Sequence, residues 1–310
     1  MSGKHVICLG SALWDTILSV DHIPPHGGKV LPTIAVQAAS GMATVAAVTI
    51  ARLGGSVSLW SRIGDDHTGQ MFIEDLAHEG VATDAVRRVP NVRTPFSTIL
   101  VDRNGERLVV PYFDPALDTD TGWLPLHEIA NAGAVLCDMR WMQGAELLFS
   151  QARRRGIPTI LDADVAPVED LRAMMPQADH VLLSEPALAS LSDAPSPEEA
   201  LVEVASTLTA RVIGVTLGAR GSIIWENSGG AGTLRHFPTI RIVARDTLNA
   251  GDVWHGTYAY GVAHGWDLAR TVRAASVAAA MKCEHFGGRV GAPRLPQLLE
   301  RMELCESALL

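Results

Sequence analysis

The 310-residue chain is poor in the residues that mark several protein classes. Its four cysteines, Cys8, Cys137, Cys283 and Cys305, are scattered, with no CxxC pair and no His/Cys cluster at zinc-finger spacing. That argues against a disulfide scaffold and points to reduced thiols in a cytoplasmic protein. Basic residues are outnumbered, with 25 Lys and Arg against 34 Asp and Glu for a formal net charge of −9. Phosphate backbones and anionic bilayers call for a basic patch, so neither a nucleic acid nor a membrane is an expected partner. A few local cations can still hold a small anion. No apolar run approaches the roughly 18 residues needed to span a bilayer. The opening MSGKHVICLGSALWDT lacks a basic stretch followed by a long apolar one, so no signal peptide is expected. Walker A, G-x-G-x-x-G, G-x-S-x-G and HExxH patterns are all missing, which leaves P-loop, dinucleotide-binding, serine-hydrolase and zincin chemistry without support.

What is present is a globular composition, 47% hydrophobic and 19% charged, with no repeat and no low-complexity linker. A chain this long buries roughly 75% of its extended surface and needs no covalent staple. The pattern reads as alternating strands and helices: strands Val6–Leu9, Val57–Ser61, Ala134–Cys137, Thr159–Asp162, His180–Leu183, Val212–Thr216 and Ser222–Trp225. Helices are expected over Met42–Leu53, Gly69–Glu79, Gly144–Arg155, Val168–Met175, Pro197–Leu208, Gly251–His264 and Leu268–Cys283. Such alternation implies a mostly parallel sheet covered on both faces. Additional segments do not fit that sheet. Thr16–Val20, Val30–Val36 and the pair Phe96–Val101 and Arg107–Val110, which flanks the turn DRNG, suggest a small second sheet acting as a lid.

The sharpest chemical signal is Asp246-Thr-Leu-Asn-Ala-Gly-Asp252. Ala250-Gly251 permits close backbone approach, and the helix that follows presents unpaired N–H groups and a positive dipole end, which suit a phosphate. Asp252 falls in that first turn, beside the anion, where a carboxylate can accept a proton from an attacking hydroxyl. In an isolated tripeptide the plainer reading, a helix-end acid behind a turn glycine, is the commoner one. The histidines His67, His78, His127 and His180 lack metal spacing, and Trp60, Trp123 and Trp225 read as packing residues. Lys282 and Arg289 are within reach of a nucleotide by position, although cations at helix ends are common.

The context of the heptapeptide changes its weight. It resembles the D-T-x-G-A-G-D signature of the PfkB (ribokinase-like) carbohydrate kinases, with Asn249 in place of the first glycine; asparagine tolerates left-handed backbone better than other side chains. The resemblance extends over nearly the whole chain. Gly10 and Asp15 are similar to the family's opening strand and sugar-binding aspartate, and Ser40-Gly41 with Ala51-Arg-Leu-Gly54 to its N-terminal signature. Arg62-Ile-Gly-Asp-Asp66 with Gly69 is similar to its G-x-D-x-x-G, and Val215-Thr-Leu-Gly218 with Gly221 to its nucleotide-site V-T-x-G-x-x-G. Two positions depart. Val45 stands where the family has Asn, and the N-x-x-E motif reads Ser184-Glu-Pro-Ala187.

The resemblance implies a three-layer α/β/α core, residues 1–10, 38–90 and 116–310, with a β-sheet lid formed by 11–37 and 91–115. It implies ATP and Mg²⁺ as cofactors and a homodimer paired through the lid. It makes Asp252 the catalytic base and Asn249, Ala250 and Gly251 the anion hole. Asp15, Ser40 and Gly41 would hold the sugar, and Thr216, Gly218, Gly221, Lys282 and Gly288 the nucleotide. Glu185 and Asp246 are the expected metal-linked acids. Cys137-Asp-Met-Arg-Trp141, Ser184-Glu-Pro186 and Met281-Lys-Cys283 resemble the sulfofructose kinase branch, which implies 6-deoxy-6-sulfofructose as substrate, phosphorylated at its 1-hydroxyl. Lys29 and Arg140 would then face the sulfonate, while Pro111 stands where that branch has Asn. The rival expectations are a kinase of fructose, ribose, 2-keto-3-deoxygluconate or a nucleoside, or a catalytically weak sugar-binding protein on the same fold.

Overall fold

The computed structural model describes residues 4–117, 119–227 and 232–307. In chain order the elements are β1 (His5–Leu9), β2 (Leu13–Ser19), β3 (Ile34–Ser40), α1 (Met42–Arg52), β4 (Val57–Gly64), α2 (His67–Glu79), β5 (Val86–Val89), β6 (Phe96–Val101), β7 (Arg107–Tyr112), β8 (Ala132–Asp138), α3 (Met142–Arg153), β9 (Thr159–Ala163), α4 (Val168–Met174), β10 (His180–Ser184), α5 (Glu185–Leu191), α6 (Pro197–Ser206), β11 (Val212–Thr216), β12 (Ser222–Asn227), β13 (Gly232–Phe237), α7 (Ala250–Ala263), α8 (Leu268–Cys283) and α9 (Leu295–Ser307).

Nine strands form one sheet in the order β13-β12-β11-β10-β9-β8-β1-β4-β5, parallel from β11 to β5 and antiparallel at β12 and β13. The central strands are continuous apolar runs because both faces are covered. Alternation then divides them: Val6 and Cys8 join the core under α1, α7 and α8, while Ile7 and Leu9 join the core under α3 and α6. Helix boundaries follow local chemistry. Asp66 caps α2 by accepting from Gly69 N at 2.8 Å, and Gly80 ends it in the left-handed region. Asp267 caps α8 through Arg270 N at 2.8 Å.

The remaining strands form a separate four-stranded sheet, β3-β2-β6-β7. The expected second sheet is therefore present, but its β3 runs over Ile34–Ser40 rather than Val30–Val36. β3 has to reach Ser40 because it pairs with β2 along its full length, Leu13 opposite Ser40 and Ser19 opposite Ile34. Residues 30–33 remain irregular beside a Pro at 32. The short strands β5 and β13 and the helices α5 and α9 were not anticipated from the pattern.

One charge network ties β3 of the small sheet to helices α1 and α2. Arg289 donates from Nε to Ala39 O at 2.5 Å, from one guanidinium nitrogen to Glu79 at 2.8 Å and from the other to Asp75. Asp75 in turn accepts from Ala39 N at 2.8 Å. Arg52 grips Glu79 with two nitrogens, at 2.8 and 2.6 Å. Burial alone would raise the Glu79 carboxyl, but the bonds from Arg52 and the charges of Arg52 and Arg289 outweigh it and hold the group at about 2. A carboxyl depressed in the fold adds stability above its unfolded value near 4.5, and loses it as pH falls toward 2. Urea unfolding midpoints should therefore fall between pH 4.5 and 2 by an amount worth about 2–4 kcal/mol from this group. The Glu79→Gln variant should show a lower midpoint at pH 7 and a flatter acid dependence.

Candidate active site

The carboxyl edge of the parallel sheet carries the chemistry. β8 and β9 run to one side of β1 and β4 to the other, so the chain's course reverses beside β1 and opens a crevice there. α7 starts at that edge. Its N-cap, Asn249, sits at φ 60°, ψ 15°, in the left-handed region the missing glycine would have occupied. The first turn leaves the N–H groups of Gly251 and Asp252 without an intrahelical acceptor, and Gly251 is exposed with open space where a Cβ would lie. Asn249 Nδ2 donates to Asp252 Oδ2 at 2.8 Å. Burial, followed by the nearby charge of Asp162, pushes the Asp252 carboxyl up to about 7 despite that bond.

Asp246 fixes the loop that enters the helix. Its Oδ1 accepts from Leu248 N at 2.8 Å, and its Oδ2 from Gly287 N at 3.0 Å and Gly288 N at 2.8 Å. Lys282, fully buried, lies 3.2 Å from Oδ2 and donates to the Asp246 carbonyl at 2.6 Å. Burial lowers the Lys282 ammonium more than its partner Asp246 raises it. Both Asp246 oxygens and the Lys282 ammonium are thus engaged with one another and with the backbone beneath the first turn of α7. Gly288, at φ 59°, is pressed against Asn249, whose Oδ1 would lie 2.6 Å from any Cβ there.

On the small sheet, Asp15 is buried on β2 and accepts from the Ser97 hydroxyl. Burial raises its carboxyl, opposed by bonds from Ser40 and Ser97 and by the Arg289 charge. Gly41 caps α1 and packs on Ser11. Asp138, at the end of β8, organises this corner. It accepts from Ser11 N at 2.8 Å, Ser11 Oγ at 2.7 Å, Ala43 N at 3.1 Å and Arg140 N at 2.8 Å. Gly10 passes so close that a Cβ would overlap the Asp138 carboxylate. The Arg140 and Lys29 side chains are exposed and make no ion pair or side-chain hydrogen bond among the described residues.

Along the same edge, Thr216 ends β11 and Gly218–Arg220 form a turn closed by Leu217 N to Gly221 O at 2.8 Å and Gly221 N to Gly218 O at 3.0 Å. Glu185 opens α5 and is ion-paired to Arg220. Among the described residues, no three His, Cys, Asp or Glu side chains gather as a metal-holding group.

Four residues that matter to the site were not among the sequence candidates: Asp138, Asp162, His255 and Asp75. The first two are acids that end buried strands, LCD and LDA. An acid closing an otherwise apolar strand is a visible signal.

The profile of the pfkB family carbohydrate kinases matches residues 4–295. A crystal structure of an Agrobacterium tumefaciens protein provisionally assigned as a ribokinase is 41% identical, with 99% of each chain covered and a TM-score of 0.94. Arabidopsis thaliana ribokinase, solved with ribose and ATP, shares the fold at 22% identity, covering 98% of this chain and 99% of its own, with a TM-score of 0.82. Among curated proteins, a Klebsiella pneumoniae fructokinase is 28% identical over 86% of each chain. A family match over residues 4–295, together with the 41% identical structure, places the chain in the pfkB family of carbohydrate kinases.

Proposed function

We propose that the protein transfers the γ-phosphoryl of ATP to a primary hydroxyl of a keto-sugar carrying an anionic group, with 6-deoxy-6-sulfofructose the leading substrate. The observation that carries the kinase reading is Asp252, held at the mouth of an open helix N-terminus with its carboxyl raised to about 7. A carboxylate at that value takes a hydroxyl proton with more driving force than an ordinary one. The N–H groups of Gly251 and Asp252 would stabilise charge on the moving phosphoryl. Thr216 and the Gly218–Gly221 turn would hold the nucleotide, as the bound ATP of the Arabidopsis thaliana ribokinase supports by analogy. Glu185, half exposed, and the lack of a three-ligand cluster among the described residues fit Mg²⁺ that arrives on ATP rather than a resident ion. Bound there, Mg²⁺ supplies charge neutralisation between the phosphates.

Asp252→Asn should keep its far-UV circular dichroism and ATP affinity, and lose on the order of 10²–10⁴ in turnover. The wild-type kcat/KM should rise with pH as Asp252 ionises, with a midpoint near 7. An enzyme whose rate is flat from pH 5 to 9 uses another base.

The anionic-sugar reading rests on Arg140 and Lys29, two exposed cations with no partner among the described residues. The Arg140 backbone N–H donates to Asp138, which anchors the start of its side chain, and a guanidinium suits an oxyanion because its planar fork donates two bonds at once. A charge-assisted contact is worth about 1.5–3 kcal/mol, which is about tenfold to over a hundredfold in affinity. Sulfofructose should exceed fructose and ribose in kcat/KM by that factor, and Arg140→Ala should erase most of the difference while leaving fructose kinetics nearly unchanged. A wild-type preference for ribose or fructose, the substrates after which the relatives are named, would overturn the sulfonate reading and leave the kinase reading intact.

The small sheet supports a homodimer paired lid to lid. Leu108, Val109, Val110 and Tyr112 of β7 are all exposed, as is Ile34 of β3, an apolar surface larger than single scattered residues would give. A second copy that buries them also shields the open edge of β7. Light scattering should give a mass near twice 33.1 kDa, and Val110→Asp should yield monomers.

A further inference from the structure

Behind Asp252 lies a second, wholly buried charge pair that the phosphoryl-transfer scheme above does not use. His255 follows Asp252 by three residues and so shares its face of α7. Its Nδ1 lies 2.9 Å from Asp162 Oδ2 at the end of β9, with the two side chains 4% and 2% exposed. Both ring nitrogens and Asp162 Oδ2 are buried without an aligned hydrogen-bond partner among the described residues, so the contact is a close charge pair. Trp254 packs edge-on against the same ring, 5.4 Å between centroids, and closes it off from α8. A dry ion pair of this kind is seldom kept for stability alone, because desolvation offsets most of its attraction.

We propose that His255, held as an imidazolium by Asp162, is the positioning residue that keeps Asp252 available as a base. The inference rests on Asp252 being that base. Three carboxylates converge here: Asp252 on α7, Asp162 on β9 and Asp164 just beyond it. Asp162 also faces Asp138 at the end of β8. Without a cation, the mutual repulsion of these acids in a buried corner would keep Asp252 protonated. His255 is the cation placed among them. The other elements packed on α7 bring no competing charge. α1 presents apolar and threonine side chains, Cys8 of β1 stays a protonated thiol, Lys282 of α8 is committed to Asp246, and Arg289 is committed to Asp75 and Glu79. Burial disfavours the imidazolium, but the charge of Asp162 2.9 Å away outweighs it and leaves the ring's pKa above its ordinary value.

Two measurements test the proposal. In ¹⁵N-histidine NMR of the full chain, the signal that disappears in His255→Gln should stay in the imidazolium form above the ordinary histidine midpoint, and Asp162→Asn should convert it to the neutral form at pH 7. This readout needs no substrate, so it stands apart from the kinase reading. In kinetics, with ATP and the sugar of highest turnover, His255→Gln should move the acid limb of kcat/KM up by roughly one pH unit or more. The double variant His255→Gln/Asp162→Asn should bring the limb back toward wild type, because it removes the repelling acid with the cation. A His255 signal that is neutral at pH 7, or a His255→Gln limb that stays in place while the rate falls equally at every pH, overturns the proposal. If Asp252→Asn remains active while the NMR result holds, the base assignment fails and the ion pair does not.

Discussion

The site depends on one buried carboxylate whose oxygens are taken up by the chain itself. Asp246 collects the N–H groups of Leu248, Gly287 and Gly288 and the ammonium of Lys282. These come from the loop before α7, the turn after α8 and the end of α8 itself. A single buried ion therefore sets the direction in which the chain enters α7, and with it the aim of the Gly251 and Asp252 N–H groups. Preorganised donors are effective because they need not reorient as charge develops. Lys282 sits 3.2 Å from the wholly buried Asp246 carboxylate, where an unpaired polar group would be costly.

Along the same edge of the sheet, four carboxylates are handled in four ways. Asp246 is met by backbone donors and a lysine, Asp138 by three backbone N–H groups and a hydroxyl, and Asp162 by an imidazole. Asp252 accepts a hydrogen bond from the Asn249 amide and lies near the His255 charge. Burial and the charge of Asp162 outweigh both, so its proton affinity is raised, a property suited to a base beside a phosphoryl group.

The large sheet was legible because its strands are unbroken apolar runs ending in Gly or Asp, and its main helices carry caps such as Asp66 and Asp267. β5 reads Val-Arg-Arg-Val and β13 reads Gly-Thr-Leu-Arg-His-Phe, neither with the hydrophobic content of a buried strand, and each is set by pairing with a neighbour at the sheet's edge. The heptapeptide at Asp246 was legible as a turn opening a helix, and it took the motifs elsewhere in the chain to favour a phosphate site over a plain helix end. The Arg289–Glu79–Arg52 network could not, because it joins residues 210 and 27 positions apart and no local spacing reveals it. The same holds for Asp162 and His255, which meet only when α7 is laid across β9.

Asn249 shows how a departure from a family signature can be absorbed by its surroundings. A side chain in the left-handed region ordinarily costs stability, and here it also occupies space beside the anion hole. The fold answers on both counts. Gly288 has no Cβ, and that gap is where the Asn249 carboxamide oxygen fits. Asp246, by holding the Gly288 N–H, keeps the gap in place. The amide nitrogen then reaches Asp252, a contact a glycine at 249 could not make. That bond draws the raised Asp252 carboxyl back toward its ordinary range, in the same direction as the His255 charge. The substitution thus gives Asp252 a local donor in the very turn that a glycine would only have shaped.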